Sequence, residues 1–166
     1  MRKKDWVHLQ PILQTDRRIP KELGVGRWGC AWRISLAAAE YFSQVELEIP
    51  DIIMLHHEHM KLKYLKDLPL TSDPTDFQVV SFERCLTHAL DFTGAEEIGW
   101  HIGNATQYLG YRRPWRVDFC FLHVDTGKAD GHWRLGDADG ILLWDPDPAV
   151  EGELDGHMLK FRIGEK

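Results

Sequence analysis

The sequence predicts an α+β protein in which helices come first along the chain and antiparallel strands follow. Three observations carry this prediction. Residues 30–42 repeat apolar side chains at helical spacing, residues 117–124 have the composition of a strand, and Asp139-Gly140 marks a tight turn between two further strands. We expect a single domain over residues 1–166.

Length and composition fit one soluble globular domain. A chain of 166 residues can bury a core of its own, and a hydrophobic share of 43% is ordinary. The net charge of −6 argues against general affinity for nucleic acid or anionic membranes. No apolar run approaches the roughly 20 residues that span a bilayer, and we expect no secretory signal. Three scattered cysteines without a Cys-x-x-Cys pair fit a reducing compartment, so we expect a cytoplasmic protein.

The predicted helical part covers about residues 1–95. Residues 1–29 are mixed and polar with several glycines, so we expect a loop there. Residues 30–42 contain three consecutive alanines, no glycine and no proline, which favours a helix buried on most sides. Residues 68–77, with two prolines, predict another loop. The predicted helices span residues 30–42, 51–65 and 80–92.

The predicted sheet part covers about residues 96–166. Here apolar and aromatic residues occur in short runs between turn residues, which is typical of strands. The stretch Asp137-Ala138-Asp139-Gly140 is a strong hairpin signal, and it lacks the full ligand pattern of a calcium loop. The predicted strands span residues 117–124, 132–135, 140–144 and 158–163.

Cys30 is the first candidate for chemistry. A cysteine attacks as its thiolate, which a helix N-terminus and a neighbouring histidine both stabilise. Cys30 is the first residue of a predicted helix, and Gly29 before it allows a sharp turn and a close approach by a substrate backbone. The alternative interpretation is a small buried hydrophobe. We expect the other two cysteines, Cys85 and Cys120, to be structural and buried, because both lie within predicted elements.

His132 and Asp145 are the candidate partners of this cysteine. His132 opens one predicted strand, and Asp145 follows the end of the next, beyond the tight turn. In an antiparallel hairpin the start of one strand lies beside the end of the other, so we expect the two side chains to be neighbours. A carboxylate in that position orients an imidazole and stabilises its charged form.

Two stretches of the chain carry a resemblance to known proteins. The first is Gly29-Cys30-Ala31-Trp32 followed by Ser35-Leu36, and the second runs from Gly131-His132-Trp133 to Trp144-Asp145-Pro146. Both are similar to segments of papain-like cysteine peptidases, particularly the C39-like peptidases. The resemblance implies a papain-like fold, with N-terminal helices packed on a C-terminal antiparallel sheet. It also implies Cys30 as nucleophile, His132 as general base and Asp145 as the orienting group.

The same resemblance implies a glutamine that completes the oxyanion hole. The nearest candidates are Gln14 and Gln10, further upstream than the family's usual spacing, so residues 15–26 would have to loop out. The implied activity is hydrolysis of an amide bond in a peptide or a peptidoglycan-like substrate, without metal or organic cofactor. The alternative is a catalytically inactive papain-like module with a binding or structural role, which the unusual glutamine spacing favours.

Two further clusters have simpler interpretations. His56-His57-Glu58-His59 suggests metal binding, but the spacing is not that of a His-Glu-x-x-His site, and we expect a solvated helix face. A histidine-rich metal-binding protein is therefore the weaker alternative. The basic and aromatic residues at 112–116 could hold an anionic group of a ligand, although a surface loop paired with nearby acids is the simpler expectation.

Overall fold

The fold is α+β, as predicted, in a computed structural model that describes residues 9–65, 82–94, 99–104, 119–127 and 131–164. A 3-10 turn at Lys21–Leu23 precedes the helices. The helices are α1 (Val25–Trp28), α2 (Cys30–Ser43), α3 (Ile49–Leu65) and α4 (Phe82–Phe92). The strands are β1 (Gly99–Asn104), β2 (Phe119–Asp125), β3 (His132–Asp137), β4 (Leu142–Trp144) and β5 (Glu153–Gly164).

Helix α2 lies at the centre of the protein. Every residue from Trp32 to Tyr41 is buried, because α1, α4 and β3 all pack against this helix. Its run of three alanines presents little bulk, which allows neighbouring elements to approach closely. The helix ends at Ser43, and Gln44 then takes a left-handed conformation with φ of 56°. Helix α2 is therefore held on several sides along most of its length.

The five strands form one antiparallel sheet in the order β1-β5-β2-β3-β4. Strand β2 is paired on both sides, and its Phe119 and Phe121 are fully buried. Strand β3 lies between β2 and the short edge strand β4. A side chain at the start of β3 is therefore carried by a backbone that pairs with β2, while the pairing of β3 with β4 involves Leu135 and Gly136.

A tight turn joins β3 to β4 at the predicted place. The backbone N–H of Asp137 donates to the Ile141 carbonyl at 2.9 Å, and the Asp137 carboxylate accepts the N–H groups of Asp139 and Ile141 at 2.9 and 3.0 Å. Gly140 has φ of 80°, a conformation that glycine adopts without strain. The turn returns β4 alongside β3, so that the residue after β4 lies near the beginning of β3.

Some elements differ from the predictions. The segment expected to be loop contains the 3-10 turn and α1, although its three glycines disfavour helix. Strand β1 was not predicted, because it contains two glycines and is stabilised by pairing with β5, which lies far away in sequence. Strand β5 is also longer than the predicted residues 158–163.

Some predictions lie wholly or partly outside the described residues. They are the loop at residues 68–77, the basic and aromatic patch at residues 112–116, the first eight residues of the loop predicted at 1–29, and the first two residues of both the helix predicted at 80–92 and the strand predicted at 117–124. Among the helices that the structure describes, none is both long enough and apolar enough to cross a membrane.

Candidate active site

Cys30 occupies the first position of α2 and is partly exposed. The residue before it, Gly29, is the N-cap and provides no side-chain cap. The first N–H groups of a helix have no partner within the helix, and they carry the positive end of its dipole. Cys30 therefore lies where a negative charge on sulfur, or on an oxygen bound beside it, is stabilised.

The backbone contact between Gly29 and Val25 explains why glycine precedes this cysteine. The Gly29 N–H donates to the Val25 carbonyl at 2.9 Å. A Cβ at position 29 would overlap the Val25 carbonyl oxygen and would lie 2.9 Å from the Val25 Cα. Because these are backbone atoms, they cannot move aside as the end of a flexible side chain can. The glycine allows α1 and α2 to join with Cys30 at the junction.

His132 is the first residue of β3, and it is buried with 3% of its surface exposed. Gly131 before it has φ of 57°, and a Cβ there would overlap the ring of His123. His123 in turn packs edge-on against Trp133, with ring centroids 4.7 Å apart. These contacts fix the path of the chain as it leads into His132.

His132 and Asp145 are in direct contact. The Nε2 atom of His132 lies 2.7 Å from Oδ1 of Asp145, thirteen residues further along the chain. Leu135 of β3 pairs with Trp144 of β4, so Asp145 continues β4 opposite Arg134, and His132 is its diagonal neighbour on the same face. The predicted hairpin thus brings these two side chains together.

Cys30 lies within interaction range of the same imidazole. Burial alone would lower the pKa of His132, but hydrogen bonding to Asp145 and to Cys30, and the charges of both groups, outweigh it and raise this pKa to about 9. Since Nε2 bonds Asp145, Nδ1 is the ring nitrogen available to the Cys30 sulfur. Helix α2 and strand β3 pack directly against each other, and the interaction between Cys30 and His132 joins the first residue of one to the first residue of the other.

The Asp145 carboxylate is ionised in this setting. Burial opposes its charge, but the hydrogen bonds from His132 and from the Asp147 backbone, together with the charges of His132 and Arg134, lower its pKa below the usual 3.8. Its two oxygens have three donors among the described residues. They are His132 Nε2 and the Asp147 N–H on Oδ1, and Arg134 Nε on Oδ2.

Arg134 is a site residue that the sequence interpretation did not include. It donates from Nε to Asp145 at 2.7 Å and from Nη2 to the Val150 carbonyl at 3.1 Å. The signal was present in the sequence, because Arg134 is two residues after His132 and a strand places such residues on one face. Only the hairpin register, however, shows that this face carries Asp145.

Gln14, one of the two oxyanion candidates, is hydrogen-bonded to the segment that precedes Cys30. Its side-chain Nε2 donates to the Gly26 carbonyl at 3.1 Å, and its backbone N–H donates to the Pro146 carbonyl at 3.0 Å. It thereby links the segment before Cys30 to the residue after Asp145. The side chain is 4% exposed, and its Oε1 has no hydrogen-bond partner in the described part of the chain.

Gln10 lies at the other end of α2. Its backbone N–H donates to the Glu46 carboxylate at 3.2 Å, beyond the C-terminus of that helix. A helix of this length spans about 20 Å, so Gln10 and Cys30 are far apart. Gln10 instead lines a groove of about 510 Å³, whose other lining residues are Leu9, Pro11, Leu13, Tyr41, Leu143 and Trp144.

The histidine-rich segment of α3 is not a solvated helix face, contrary to the prediction. His56 and His59 are only 4% and 7% exposed, and both lie near the ring of Trp32. Both imidazoles are buried where α3 meets α2 and α4. His59 Nδ1 lies 3.6 Å from the buried Cys85 sulfur. Within the described ranges, no group of three or more His, Cys, Asp or Glu side chains could hold a metal ion.

Cys30 differs from the other two cysteines in exposure. Cys85 is 2% exposed and Cys120 is fully buried, as predicted, whereas Cys30 is partly exposed.

No family model, curated protein or solved structure matches this chain. What the site can do therefore follows from its own geometry and chemistry.

Proposed function

We propose that the chain is a papain-like cysteine hydrolase that cleaves an amide bond with Cys30, His132 and Asp145. The carrying observation is the 2.7 Å contact between His132 and Asp145, on a ring that Cys30 also reaches. A nucleophile at a helix N-terminus, a base on a paired strand and a carboxylate behind that base form the arrangement that cysteine hydrolysis needs.

The first half of the reaction forms a thioester. His132 takes the proton of the Cys30 thiol, and the sulfur attacks the carbonyl carbon of the amide. The tetrahedral adduct then collapses, because His132 returns its proton to the amide nitrogen and the carbon–nitrogen bond breaks. Asp145 favours this proton transfer, since it holds the ring through Nε2 and stabilises the imidazolium. The amine leaves, and the acyl group remains on sulfur.

The second half releases the acyl group. His132 removes a proton from a water molecule, whose oxygen attacks the thioester carbonyl. The carbon–sulfur bond breaks, the proton returns to sulfur, and a carboxylic acid leaves. The net reaction is amide plus water giving acid plus amine, so no redox partner is required.

The oxyanion of each tetrahedral adduct needs two hydrogen-bond donors. The backbone N–H of Cys30 supplies the first, since the opening N–H groups of a helix have no helical partner. Gln14 is the candidate for the second donor. Its side-chain amide is held by a hydrogen bond to the carbonyl of Gly26, which is four residues before Cys30. An amide nitrogen carries two hydrogens, so one can bond Gly26 while the other meets the oxyanion.

The proposed substrate is an amide of the peptide or peptidoglycan type. This follows from the resemblance to papain-like peptidases together with the geometry of Cys30 and His132. The proposed compartment is the cytoplasm, on the basis of the three cysteines that form no disulfide.

The test of this proposal is the reactivity of Cys30 toward iodoacetamide. At pH 6 we expect Cys30 to alkylate at least about tenfold faster than free cysteine, because a thiolate–imidazolium pair is reactive at a pH where a free thiol is protonated. Peptide mass spectrometry identifies the alkylated residue. Cys85 and Cys120 provide internal controls, since both are buried and should stay unmodified in the folded protein.

Two variants separate the proposed chemistry from simple exposure. His132→Gln should lower the Cys30 alkylation rate at pH 6 to that of free cysteine, while Cys30 remains equally accessible. Cys30→Ser should abolish hydrolysis of fluorogenic peptide amides and of muropeptide cross-links that the unaltered protein cleaves. Slow alkylation of all three cysteines in the unaltered protein would contradict the proposal.

The inactive papain-like module remains the second candidate function, and the Gln14 side chain favours it. Its Nε2 already donates to Gly26, and the side chain is buried. If this bond held the amide away from the oxyanion, Cys30 would alkylate rapidly but no amide would be hydrolysed. The two assays together therefore distinguish the hydrolase from the module.

A further inference from the structure

Arg134 holds the side of Asp145 that faces away from the histidine. Its Nε donates to Oδ2 at 2.7 Å, while His132 Nε2 contacts Oδ1 at 2.7 Å. The Asp147 N–H donates to Oδ1 at 2.9 Å. Arg134 and Asp145 are both mostly buried, with side chains 19% and 11% exposed. Rotation of the carboxylate about its Cβ–Cγ bond would break all three hydrogen bonds.

Arg134 also fixes the chain that follows Asp145. Its Nη2 donates to the Val150 carbonyl at 3.1 Å, and the Val150 N–H in turn donates to the Asp147 carbonyl at 3.1 Å. One rigid guanidinium thus binds both the carboxylate and the turn that carries it. A guanidinium offers several donors in one plane, whereas a lysine ammonium is a compact charge on a flexible stem.

We infer that Arg134 is a positioning residue of the proposed hydrolase, which acts through Asp145 to keep the His132 ring in the orientation that serves Cys30. This inference rests on the proposed function for its catalytic meaning. The contacts themselves involve only Arg134, Asp145, His132 and the turn at Val150. In the described part of the chain, Arg134 donates hydrogen bonds to Asp145 and to Val150, and none to Cys30.

Arg134 could act through its position or through its charge alone, and the two predict opposite changes in the pKa of His132 when Arg134 is removed. The positive charge of Arg134 by itself disfavours a second positive charge on the imidazole, so its removal would raise the pKa of His132. If Arg134 instead holds Asp145 in place, the loss of Arg134 lets the carboxylate move. Its Oδ1 atom then no longer contacts His132, and the pKa of His132 falls. The sign of the change therefore shows how Arg134 acts.

The experiment is an NMR titration of the His132 imidazole in a Cys30→Ser background, with Arg134 present or replaced by methionine or lysine. In both Arg134→Met and Arg134→Lys we expect the pKa of His132 to fall by about one unit, a tenfold loss of proton affinity. Arg134→Lys is the matched control for charge, because it keeps the positive charge and loses the simultaneous hydrogen bonds to Asp145 and Val150. Thermal unfolding of each variant records any structural effect separately.

Several outcomes would overturn the inference. A rise in the pKa of His132 in Arg134→Met with no change in Arg134→Lys would show that Arg134 acts through its charge. No change in either variant would show a structural role alone. If Arg134→Met does not fold, the Arg134→Lys result decides between a fall and no change.

The titration does not depend on the proposed reaction. Since it is performed without Cys30, it reports on Arg134 even if the alkylation test of Cys30 fails. In the protein that retains Cys30, we expect Arg134→Lys to slow the alkylation of Cys30 near neutral pH, because a less basic His132 holds less of the thiol as a thiolate–imidazolium pair. That second measurement links the positioning effect to the nucleophile.

Discussion

Arg33 and Glu40 form an ion pair on α2 in which neither side chain is exposed to solvent. The Arg33 Nη1 and Glu40 Oε2 atoms are 2.9 Å apart, and the residues are separated by seven positions on the helix. The other Glu40 oxygen accepts the Leu47 N–H at 2.8 Å, and Arg33 Nε donates to the Ile12 carbonyl at 2.9 Å. The guanidinium also lies 5.0 Å from the ring of Trp144.

Removal of one partner of this pair should be strongly destabilising. We expect Arg33→Met and Glu40→Gln each to lower the free energy of unfolding by about 3–5 kcal/mol, since each leaves a buried group without its counter-charge. The double variant should lose less than the sum of the two single variants. Urea unfolding of the four proteins measures this. The exposed pair between Arg18 and Asp16 is the control, and Arg18→Met should leave unfolding nearly unchanged. Additive losses at Arg33 and Glu40 would contradict the prediction.

Gly29→Ala should damage both stability and the reactivity of Cys30. The added Cβ overlaps the Val25 carbonyl, so the junction of α1 and α2 must shift, at a cost of about 1–3 kcal/mol. Gly26→Ala is the matched control, because a Cβ there lies at an ordinary 3.5 Å from the Gln14 carbonyl oxygen. Thermal unfolding and Cys30 alkylation of both variants check this. Equal behaviour of the two variants would show that the close approach at Gly29 is unimportant.

The contact between His132 and Asp145 predicts a specific loss of stability at alkaline pH. Because the pKa of His132 rises from 6.5 to about 9 on folding, its contribution is fully present below pH 6.5 and is lost as the pH rises through about 9. Asp145→Asn should abolish most of this dependence. The measurement is the difference in the free energy of unfolding between the unaltered protein and Asp145→Asn from pH 6 to pH 10. A constant difference across that range would refute the coupling.

The buried His56 predicts a loss of stability at acidic pH, in contrast to the alkaline loss expected for His132. Burial and repulsion by His57 lower the pKa of His56 from 6.5 to about 4, so folding favours the neutral ring. Its contribution is present above pH 6.5 and is lost as the pH falls through about 4. We therefore expect His56→Gln to lose less stability than the unaltered protein over that range. An unchanged acid profile for His56→Gln would contradict the assignment.

Local patterns in the sequence were enough to predict most elements near the candidate site. The alanine-rich segment predicted α2 to within one residue, since neither glycine nor proline interrupts it. The Asp-Gly signal predicted the turn between β3 and β4, and that turn is what brings His132 and Asp145 together. These features depend on the conformational preferences of neighbouring residues, which a sequence shows directly.

Features that depend on distant pairing were not predicted. Strand β1 has a glycine at its start and another near its end, and it is defined by pairing with β5 about sixty residues later. The burial of His56 and His59 depends on α2 and α4, and a polar helix pattern gives no indication of it. The role of Arg134 required the register between β3 and β4. In each case tertiary contacts, and not local preference, determine the environment of the side chain.

The candidate nucleophile and its base belong to different layers of the fold. Cys30 begins a helix that is buried along most of its length, whereas His132 and Asp145 lie on the hairpin that packs against that helix. A sub-global opening that separates the hairpin from α2 would part the sulfur from the imidazole while each layer kept its own backbone hydrogen bonds. Cys30 reactivity at pH 6 would then decline at denaturant concentrations too low for cooperative unfolding. The thiol would thus report the detachment of the hairpin before any change in helix content.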